Sequence, residues 1–356
     1  MVTASPRSLG QLAKGFPPVG HLGGRGRRAR LAKVCALVPR ILAAEAESLP
    51  RRPGIAWARV TATGRAVVML ASPGESPCAV VKLPLTPEAH RGLESEARTL
   101  AALHAHERLG HWRRLVPLPL AAGTVLGQPY GIESVPSGSA IGRRLGEEAT
   151  RRVVPEAAGA IHVLHRSTMT AASCDARLRE RWIDARVHDL ARHAACPHPQ
   201  LKSRLDRLRA ELHGAFSGRA VSTSLVHGDY WLGNLLLSVG SPAIAGIVDW
   251  DAAEAEELAI HDVLHLLFYT RRLRTGRELG EMVRAQLRGE GWSPSERLLI
   301  ERYGAWCHNG SLSNRHAVLL YWLRHAAFHA RQQTGASRSR YRIWEMRNVH
   351  SVLAAL

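Results

Sequence analysis

The change of residue pattern along the chain constrains its fold most. Near the N-terminus, short β-leaning runs alternate with turn-forming residues, which predicts antiparallel hairpins. These runs are Ala56–Val60, Ala66–Ala71 and Cys78–Leu83. A helix is predicted from Pro87 to about Glu107, and most of the chain beyond residue 136 has helical spacing. One strand-rich stretch, Ser224–Asp251, interrupts those helices. We therefore expect an α+β protein with a small antiparallel β-rich N-terminal part and a larger helical C-terminal part.

Composition excludes several classes of protein. The 356 residues are 46% apolar, which is enough for a sizeable core and excludes global disorder. No uncharged apolar run approaches the roughly eighteen residues of a transmembrane helix. Five scattered cysteines without a CxxC pair argue against a disulfide framework or a thiolate zinc site. A reducing cytoplasm is the expected location. Oligomeric state cannot be inferred.

The net charge of +18 is the feature that could indicate nucleic acid as a partner. Only four of the 48 basic residues are lysines, which favours an arginine-loaded surface instead. Residues 1–50 are expected to form a basic, flexible extension outside the core. Within it a short helix begins near Arg30 and is ended or kinked by Pro39. Residues 51–135 and 136–356 are then the two main regions. The tail Arg25–Arg40 keeps nucleic-acid binding open as an alternative function, although we consider nucleic acid an unlikely partner.

The most informative stretch runs from Leu225 to Leu237 and reads LVHGDYWLGNLLL. Asp229 and Asn234 lie five residues apart in a polar turn, and Asp249 ends another apolar strand fifteen residues later. Amide and carboxylate oxygens from neighbouring strand ends suit a hydrated Mg²⁺ held together with phosphate oxygens. Asp229 would then accept a proton from an attacking hydroxyl. The alternative is that Asp229 and Asn234 are turn formers and Asp249 is a helix N-cap. The combined spacing favours the site.

A lysine inside an apolar strand is the second candidate. Lys82 lies in the run AVVKL, where its charge is costly unless it is paired. On the wheel of the following helix, Glu96 falls within the apolar arc of Leu93, Leu100 and Leu103, whereas Glu94 falls outside it. We therefore expect Glu96 to hold Lys82 toward a phosphate group. The alternatives are an edge-strand lysine that blocks aggregation and a solvated glutamate at the border of the core.

The order of these motifs resembles the aminoglycoside phosphotransferase/choline kinase-like family, a branch of the protein-kinase-like fold. The motifs are a strand lysine, a helix glutamate, a hinge at Pro136-Ser137-Gly138, HGDxxxxN and DWD. The likeness extends from about Ile55 to Tyr269. It implies a two-lobe α+β fold and an ATP- and Mg²⁺-dependent phosphotransferase that acts on a hydroxyl of a small molecule. Aminoglycoside-, sugar- and amino-alcohol-like acceptors all stay open. A kinase-like protein that binds nucleotide without catalysis is the alternative.

The resemblance also implies roles for individual residues. It makes Asp229 the catalytic base, Asn234 and Asp249 the magnesium ligands, and Lys82 the ligand of the α- and β-phosphates, with Glu96 as its orienting partner. It further implies that backbone groups of Glu133 and Val135 bind the adenine edge. Asp262 resembles a carboxylate that steadies the site, and His165 ends a helix with a structural role. The turn before Arg65 has a single glycine, Gly64, so a glycine-rich phosphate loop is not indicated.

Other candidates in the helical region are weaker. His325 and His329 have metal-ligand spacing, but no HExxH motif accompanies them. The tryptophans Trp306, Trp322 and Trp344 are expected to pack the helices, with substrate stacking as the less favoured alternative. The acidic run Glu254, Glu256 and Glu257 is expected to be a solvated helix start. Its alternative role is to attract a cationic acceptor.

Overall fold

The computed structural model describes residues 24–49, 53–61, 63–141, 146–195, 199–304, 314–332 and 338–356. The chain divides into two compact units. The first comprises Met1–Ala157 and Gly233–Ala253, and the second comprises Ala158–Leu232 and Glu254–Leu356. The boundary expected at residues 135 and 136 stays a prediction. In this division, a small sheet of the first unit joins residues just after the hinge to the segment 233–253.

A five-stranded antiparallel sheet forms the centre of the first unit, in the order β1-β2-β3-β5-β4. Its strands are β1 (Gly54–Val60), β2 (Arg65–Ala71), β3 (Ala79–Pro84), β4 (Pro119–Val125) and β5 (Gln128–Ser134). The helix α2 (Pro87–Ala105) follows β3, and a 3₁₀ segment (Glu107–Leu115) follows α2. Thr86 caps α2 by accepting a hydrogen bond from Ala89 N. The antiparallel hairpins predicted for this region are present.

Within residues 24–49, an N-terminal helix differs from the expected flexible extension. Helix α1 (Gly24–Ala44) continues through Pro39, and the side chains described on it begin at Arg30. Val34, Val38 and Ile41 are buried in one hydrophobic cluster with the residues of the sheet. A proline within a helix costs about 3 kcal/mol, and the buried residues on both sides of Pro39 offset that cost. Residues 1–23 lie outside the described part of the chain.

A second, smaller sheet of the first unit has the order β10-β9-β6. Its strands are β6 (Ser139–Ala140), β9 (Leu235–Leu237) and β10 (Ile244–Ile247). Because β6 pairs with β9, the residues that follow the hinge are tied to the hairpin formed by β9 and β10. The predicted magnesium ligands flank this hairpin: Asn234 directly precedes β9, and Asp249 follows β10 by two residues.

The second unit is mainly helical, as predicted, with one three-stranded sheet in the order β11-β8-β7. The strands are β7 (Thr170–Ser173), β8 (Ala220–Val226) and β11 (Glu254–Glu257). Helix α3 (Glu147–Ser167) begins in the first unit and enters the second at Ala158. The next helices are α4 (Ala176–Arg179), a π segment (Glu180–Asp184), α5 (Ala185–Arg192), α6 (Leu201–Phe216), α7 (Ile260–Thr275), α8 (Leu279–Leu287) and α9 (Pro294–Tyr303). The last are α10 (Asn314–Gln332), α11 (Arg338–Glu345), a π segment (Met346–His350) and α12 (Ser351–Leu353).

Two absences apply to the described residues. None of their helices is long and apolar enough to cross a membrane. The three cysteines among them, Cys35, Cys78 and Cys174, are free thiols, whereas Cys196 and Cys307 lie outside the described part.

Trp322, at the centre of α10, is fully buried, as its predicted packing role requires. Trp306 also lies outside the described residues.

Candidate active site

A buried lysine on the central strand of the first unit is held by two carboxylates. Lys82 lies on β3, which pairs with β2 and β5 on either side. Its Nζ lies 2.6 Å from Glu96 Oε1 and 2.8 Å from Glu133 Oε2. Glu96 belongs to the buried face of α2, together with Leu93 and other apolar residues. The expected contact between Lys82 and Glu96 is therefore present, and the side chain of Glu133 joins it.

Burial and opposite charge compete in this cluster. Burial by itself lowers the pKa of Lys82, but the charges of Glu133 and Glu96 outweigh it and raise that pKa above its ordinary value. Burial raises the pKa of Glu96, yet Lys82 and Arg65 together lower it below its ordinary value. For Glu133 the balance is reversed, because burial and the nearby charge of Glu96 raise its pKa to about 7. Lys82 therefore stays an ammonium, and Glu96 is its ionised partner.

Arg65 is a further member of this cluster, to which the sequence assigned no role. It begins β2 and is 3% exposed. Its Nη1 donates to Glu96 Oε2 at 2.9 Å, and its Nη2 donates to Asp251 Oδ2 at 3.1 Å. Nη1 also lies 3.4 Å from Asp249 Oδ1. One guanidinium thus links helix α2 to both aspartates of the DWD segment. In so arginine-rich a sequence, only the preceding Gly64 turn distinguished Arg65 from the other arginines.

Two glycines near Arg65, Gly64 and Gly92, are required by close contacts. Gly64 has a φ of +74°, and a Cβ there would lie 2.7 Å from Thr86 Cγ2. A Cβ on Gly92, in the middle of α2, would lie 3.0 Å from Arg65 Nη2. Glycine in a helix interior costs about 0.5–1 kcal/mol relative to alanine. The absence of a side chain at Gly92 therefore leaves room for the Arg65 guanidinium to reach Asp251.

The DWD segment is hydrogen-bonded to Glu96, the glutamate that also binds Lys82 and Arg65. Trp250 N donates to Glu96 Oε1 at 3.0 Å, and the Trp250 indole donates to Ile247 O at 2.9 Å. The Trp250 ring is fully buried and meets Trp112 edge-on, with ring centroids 6.2 Å apart. Asp249, just before it, has a φ of 70°, an uncommon conformation for a residue other than glycine. The side chain of Asp249 is 44% exposed, so it can meet a ligand.

Asn234 and Asp249 are brought together by backbone pairing. Val248 N donates to Asn234 O at 2.9 Å, which places Asp249 next to Asn234 at the end of the hairpin. Among the described residues, no group of three or more His, Cys, Asp and Glu side chains could hold a metal by itself. One carboxylate and one amide oxygen match a cation that takes its remaining ligands from phosphate and water.

The two residues expected to bind the adenine edge, Glu133 and Val135, have other contacts in the first unit. Glu133 lies on β5, in register with Val80 of β3, and its carboxylate binds Lys82. Val135 N donates to Cys78 O at 3.4 Å. An adenine-binding role for the backbone of Glu133 and Val135 stays a prediction.

Asp262 stabilises the HGD turn of the second unit by accepting hydrogen bonds from its backbone. The amides of His227 and Gly228 donate to Asp262 Oδ2 and Oδ1, both at 2.8 Å. His165 Nε2 lies 2.9 Å from Asp262 Oδ2, at the end of α3. Burial raises the pKa of Asp262, but these partners outweigh it and bring that pKa down to about 2. The turn is held from the other side by Arg324, whose Nη1 donates to Gly228 O at 3.1 Å.

Asp229, the predicted base, follows this turn, and its side chain is 35% exposed. His265 Nε2 lies 3.0 Å from Asp229 Oδ1, and His265 Nδ1 lies 3.1 Å from the Tyr321 hydroxyl. Burial raises the pKa of Asp229, but the contact with His265 outweighs it and lowers that pKa below its ordinary value. The sequence placed His265 three residues after Asp262, yet assigned it no role. Asp229 belongs to the second unit, so its expected convergence with Asn234 and Asp249 of the first unit stays a prediction.

The acidic run of the second unit is a strand rather than a helix start. Glu254–Glu257 is β11, paired with β8. Its carboxylates bind arginines: Glu254 and Glu256 lie 3.2 and 3.1 Å from Arg181. Glu257 is fully buried against Arg186. The run therefore pairs with arginines, while the side chains of Glu254 and Glu256 stay 36% and 44% exposed.

Comparison with known proteins identifies the family. A model described as the phosphotransferase enzyme family matches residues 56–298, which is more than half of the chain. The chain belongs to this family and is a phosphotransferase. No curated protein matches the chain at a significant level.

Solved structures show the same fold. The chain is similar to aminoglycoside phosphotransferase APH(4)-Ia, with 13% identity and a TM-score of 0.59 over 90% of this chain and 98% of that one. It is also similar to a structure from Ralstonia eutropha JMP134 assigned to the aminoglycoside phosphotransferases. That likeness has 15% identity, a TM-score of 0.57, and coverage of 90% and 96% of the two chains. A third is APH(3'')-Id from Streptomyces rimosus in complex with ADP and streptomycin, with 18% identity, a TM-score of 0.50, and coverage of 81% and 98%. The fold is thus the α+β, protein-kinase-like fold of these enzymes.

Proposed function

We propose that this phosphotransferase moves the γ-phosphoryl group of ATP to a hydroxyl of a small molecule, with Mg²⁺ as cofactor. The main observation behind the proposal is that the carboxylate of Glu96 binds two separate parts of the first unit. Its Oε1 accepts from both Lys82 Nζ and Trp250 N, so the strand lysine and the DWD segment have a common fixed point. Phosphoryl transfer depends mainly on positioning and charge neutralisation, and this connection supplies positioning.

The first unit would bind the nucleotide. Lys82 would contact the α- and β-phosphates as a compact point charge, with Glu96 keeping its ammonium in place. Backbone groups of Glu133 and Val135 would bind the adenine edge. The nucleotide-bound state of the Streptomyces rimosus relative, solved with ADP, supports a nucleotide ligand here.

Asn234 and Asp249 would hold the magnesium ion. Their oxygens are the hard ligands that Mg²⁺ prefers, and the hydrogen bond from Val248 N to Asn234 O keeps the two residues adjacent. The ion would supply neutralisation of the charge on the phosphate oxygens. Arg65, 3.4 Å from Asp249 Oδ1, would orient that carboxylate.

The second unit would supply the proton acceptor. As the acceptor oxygen bonds to the γ-phosphorus, the bond from that phosphorus to the β–γ bridging oxygen breaks, and its electron pair leaves with ADP. The proton of the hydroxyl passes to the Asp229 carboxylate. His265 would keep this carboxylate oriented and ionised, and Tyr321 would hold the imidazole through Nδ1. His265 is a positioning residue in this scheme, because it acts through Asp229.

The test compares Asp229→Asn with Asp206→Asn, a change of an exposed aspartate on α6 whose partner is Lys202. We expect Asp229→Asn to lower kcat for transfer from labelled ATP by about 10²–10⁴-fold, the usual worth of a general base. Mg²⁺-dependent ATP affinity should stay nearly unchanged in both variants. The assays are phosphate transfer to a panel of hydroxylated compounds, Mg²⁺-dependent ATP hydrolysis, and nucleotide binding.

Two outcomes would contradict the proposal. Transfer that survives in Asp229→Asn at the control rate would remove Asp229 from the mechanism. Nucleotide binding without transfer or hydrolysis under any condition would favour a non-catalytic nucleotide-binding protein.

A further inference from the structure

A row of five half-buried rings begins beside Asp229 in the second unit. We call it the ring row. Its members are Trp231, Tyr269, His325, His329 and Trp344. Centroids of successive rings lie 5.8, 5.7, 6.5 and 4.3 Å apart, so the rings form a continuous series.

The ring row starts at the proton acceptor and follows helix α10. Trp231 comes two residues after Asp229. Tyr269, on α7, stacks on His265 with centroids 4.2 Å apart, and His265 contacts Asp229. His325 and His329 occupy successive turns of α10 with nearly parallel rings, 7° apart. A molecule whose hydroxyl meets Asp229 would therefore have these rings along its flank.

Partial exposure separates the ring row from the aromatic core. Trp182 and Trp322 in the same unit are completely buried, and their indoles donate to the backbone oxygens of Glu256 and Asn348. All five members of the ring row keep part of their surface accessible. Aromatic rings that are held in place and partly exposed can bind planar groups by stacking or by edge-to-face contact.

The charges near the ring row do not suit a polycation. Besides Asp229, the carboxylate whose charge acts on Tyr269 is Glu278, and Glu278 lies 3.2 Å from Arg272, so it is already matched by an arginine. The Arg272 guanidinium lies over the Tyr269 ring, 5.5 Å from its centroid. Burial and the charge of Arg272 lower the pKa of His329 to about 4, which keeps this imidazole neutral at physiological pH. The flank thus offers neutral rings and an arginine, whereas polyamine binding needs unpaired carboxylates.

We propose that the acceptor carries a planar aromatic group close to its reactive hydroxyl, and that this group stacks on the ring row. Acceptors rich in amines are the class that this surface disfavours. The inference rests on the proposed function, because it takes Asp229 as the point where the hydroxyl binds.

The experiment uses three probes. 1-Naphthyl β-D-glucopyranoside and methyl β-D-glucopyranoside carry the same sugar hydroxyls, and only the first has an aromatic group. Kanamycin is the polycation. Binding to the full-length protein is measured calorimetrically in the presence of ADP and Mg²⁺. We expect the naphthyl glucoside to bind at least about tenfold more tightly than either other probe, since each favourable aromatic pair contributes a factor of about 2–12. ATP-dependent transfer to the same probes is then measured.

Two variants connect the preference to the ring row. Trp231→Ala should reduce the naphthyl-to-methyl affinity ratio by about 3–10-fold, because it removes the ring at the end of the row where Asp229 lies. Tyr303→Ala is the matched control, because Tyr303 is a half-buried ring of the same unit that packs on His162, outside the ring row. It should leave the ratio unchanged. Melting temperatures of both variants verify that they are folded.

Equal or undetectable binding of the two glucosides, or tighter binding of kanamycin, would overturn the inference. So would a ratio that Trp231→Ala and Tyr303→Ala lower equally. These binding results do not depend on catalysis. Mg²⁺-dependent ATP hydrolysis that is lost in Asp229→Asn tests the proposed function separately, so either idea can fail alone.

Discussion

Arg65 shows how one buried side chain organises the candidate site. A guanidinium has donors that diverge in a plane, so it can bind Glu96, Asp251 and Asp249 at once. Burial lowers the pKa of Arg65, but the charges of Asp251, Glu96 and Asp249 outweigh it and raise that pKa. A lysine at this position would offer a single point charge and could not bridge the same three carboxylates. The geometry of these three contacts therefore requires an arginine at position 65.

His265 offers a prediction at the scale of one residue. Its contact lowers the pKa of Asp229, so replacing it by asparagine should raise that pKa. Since Asp229 must be ionised to accept a proton, the acidic limb of kcat/KM should move to higher pH in His265→Asn. His227 and His325 also bear on Asp229 and are unchanged in the variant, so the shift isolates His265.

The matched control is His162→Asn, whose imidazole packs on Tyr303. It should leave the pH profile of kcat/KM in place. A loss of activity in His265→Asn without any displacement of the acidic limb would show that His265 acts only on stability.

Helix α1 is the element whose role differs most from expectation. Val38 and Ile41 are completely buried under the five-stranded sheet. The Tyr130 hydroxyl on β5 donates to Glu45, just after the helix ends, and burial together with this partner raises the Tyr130 pKa to about 12. Helix α1 is thus a structural part of the first unit.

Ile41→Ala should therefore destabilise the protein. We expect a loss of about 2–5 kcal/mol in the free energy of unfolding, the usual cost of a large buried truncation. Arg40→Ala, one residue earlier and exposed, should change it by less than about 0.5 kcal/mol. Urea denaturation measures both, and similar values for the two variants would show that α1 does not stabilise the fold.

The position of α1 also changes how nucleic-acid binding must be tested. Deleting residues 1–50 would remove part of the core along with the basic side chains. Replacing the exposed Lys33 and Arg40 by glutamine keeps α1 in place. Salt-dependent binding of DNA or RNA that these changes abolish would support the alternative function.

For the whole molecule, the arginine excess is partly structural. Arg65, Arg186 and Arg324 are buried and paired with carboxylates in one unit or the other. Breaking such a pair by removing one partner usually costs about 3–5 kcal/mol, because the other charge is left buried. A net charge of +18 is therefore not by itself a measure of a binding surface.

The buried carboxylates predict how stability depends on pH. The folded-state pKa of Asp262 is about 2, below its ordinary value of 3.8. Its contribution is therefore complete above about pH 4 and is lost as the pH falls through about 2. Asp262→Asn should lower the free energy of unfolding by on the order of 2 kcal/mol at pH 7. The deficit should shrink between about pH 4 and pH 2.

Urea denaturation across this range, with Asp206→Asn as the exposed control, measures the effect. A deficit of constant size from pH 7 to pH 2 would mean that lost hydrogen bonds, rather than ionisation, account for the variant.

The sequence by itself determined the order of strands and helices, the spacing of Asp229, Asn234 and Asp249, and the inward position of Glu96. These follow from local periodicity and short-range spacing, which a chain carries without its fold. Tertiary structure alone decided that Arg65 reaches Asp249, 184 residues away along the chain. It also decided that α1 enters the core and that half-buried rings from separate elements form one row. Such contacts join segments distant in sequence, and among 44 arginines and 19 histidines no local pattern marks the few that are involved.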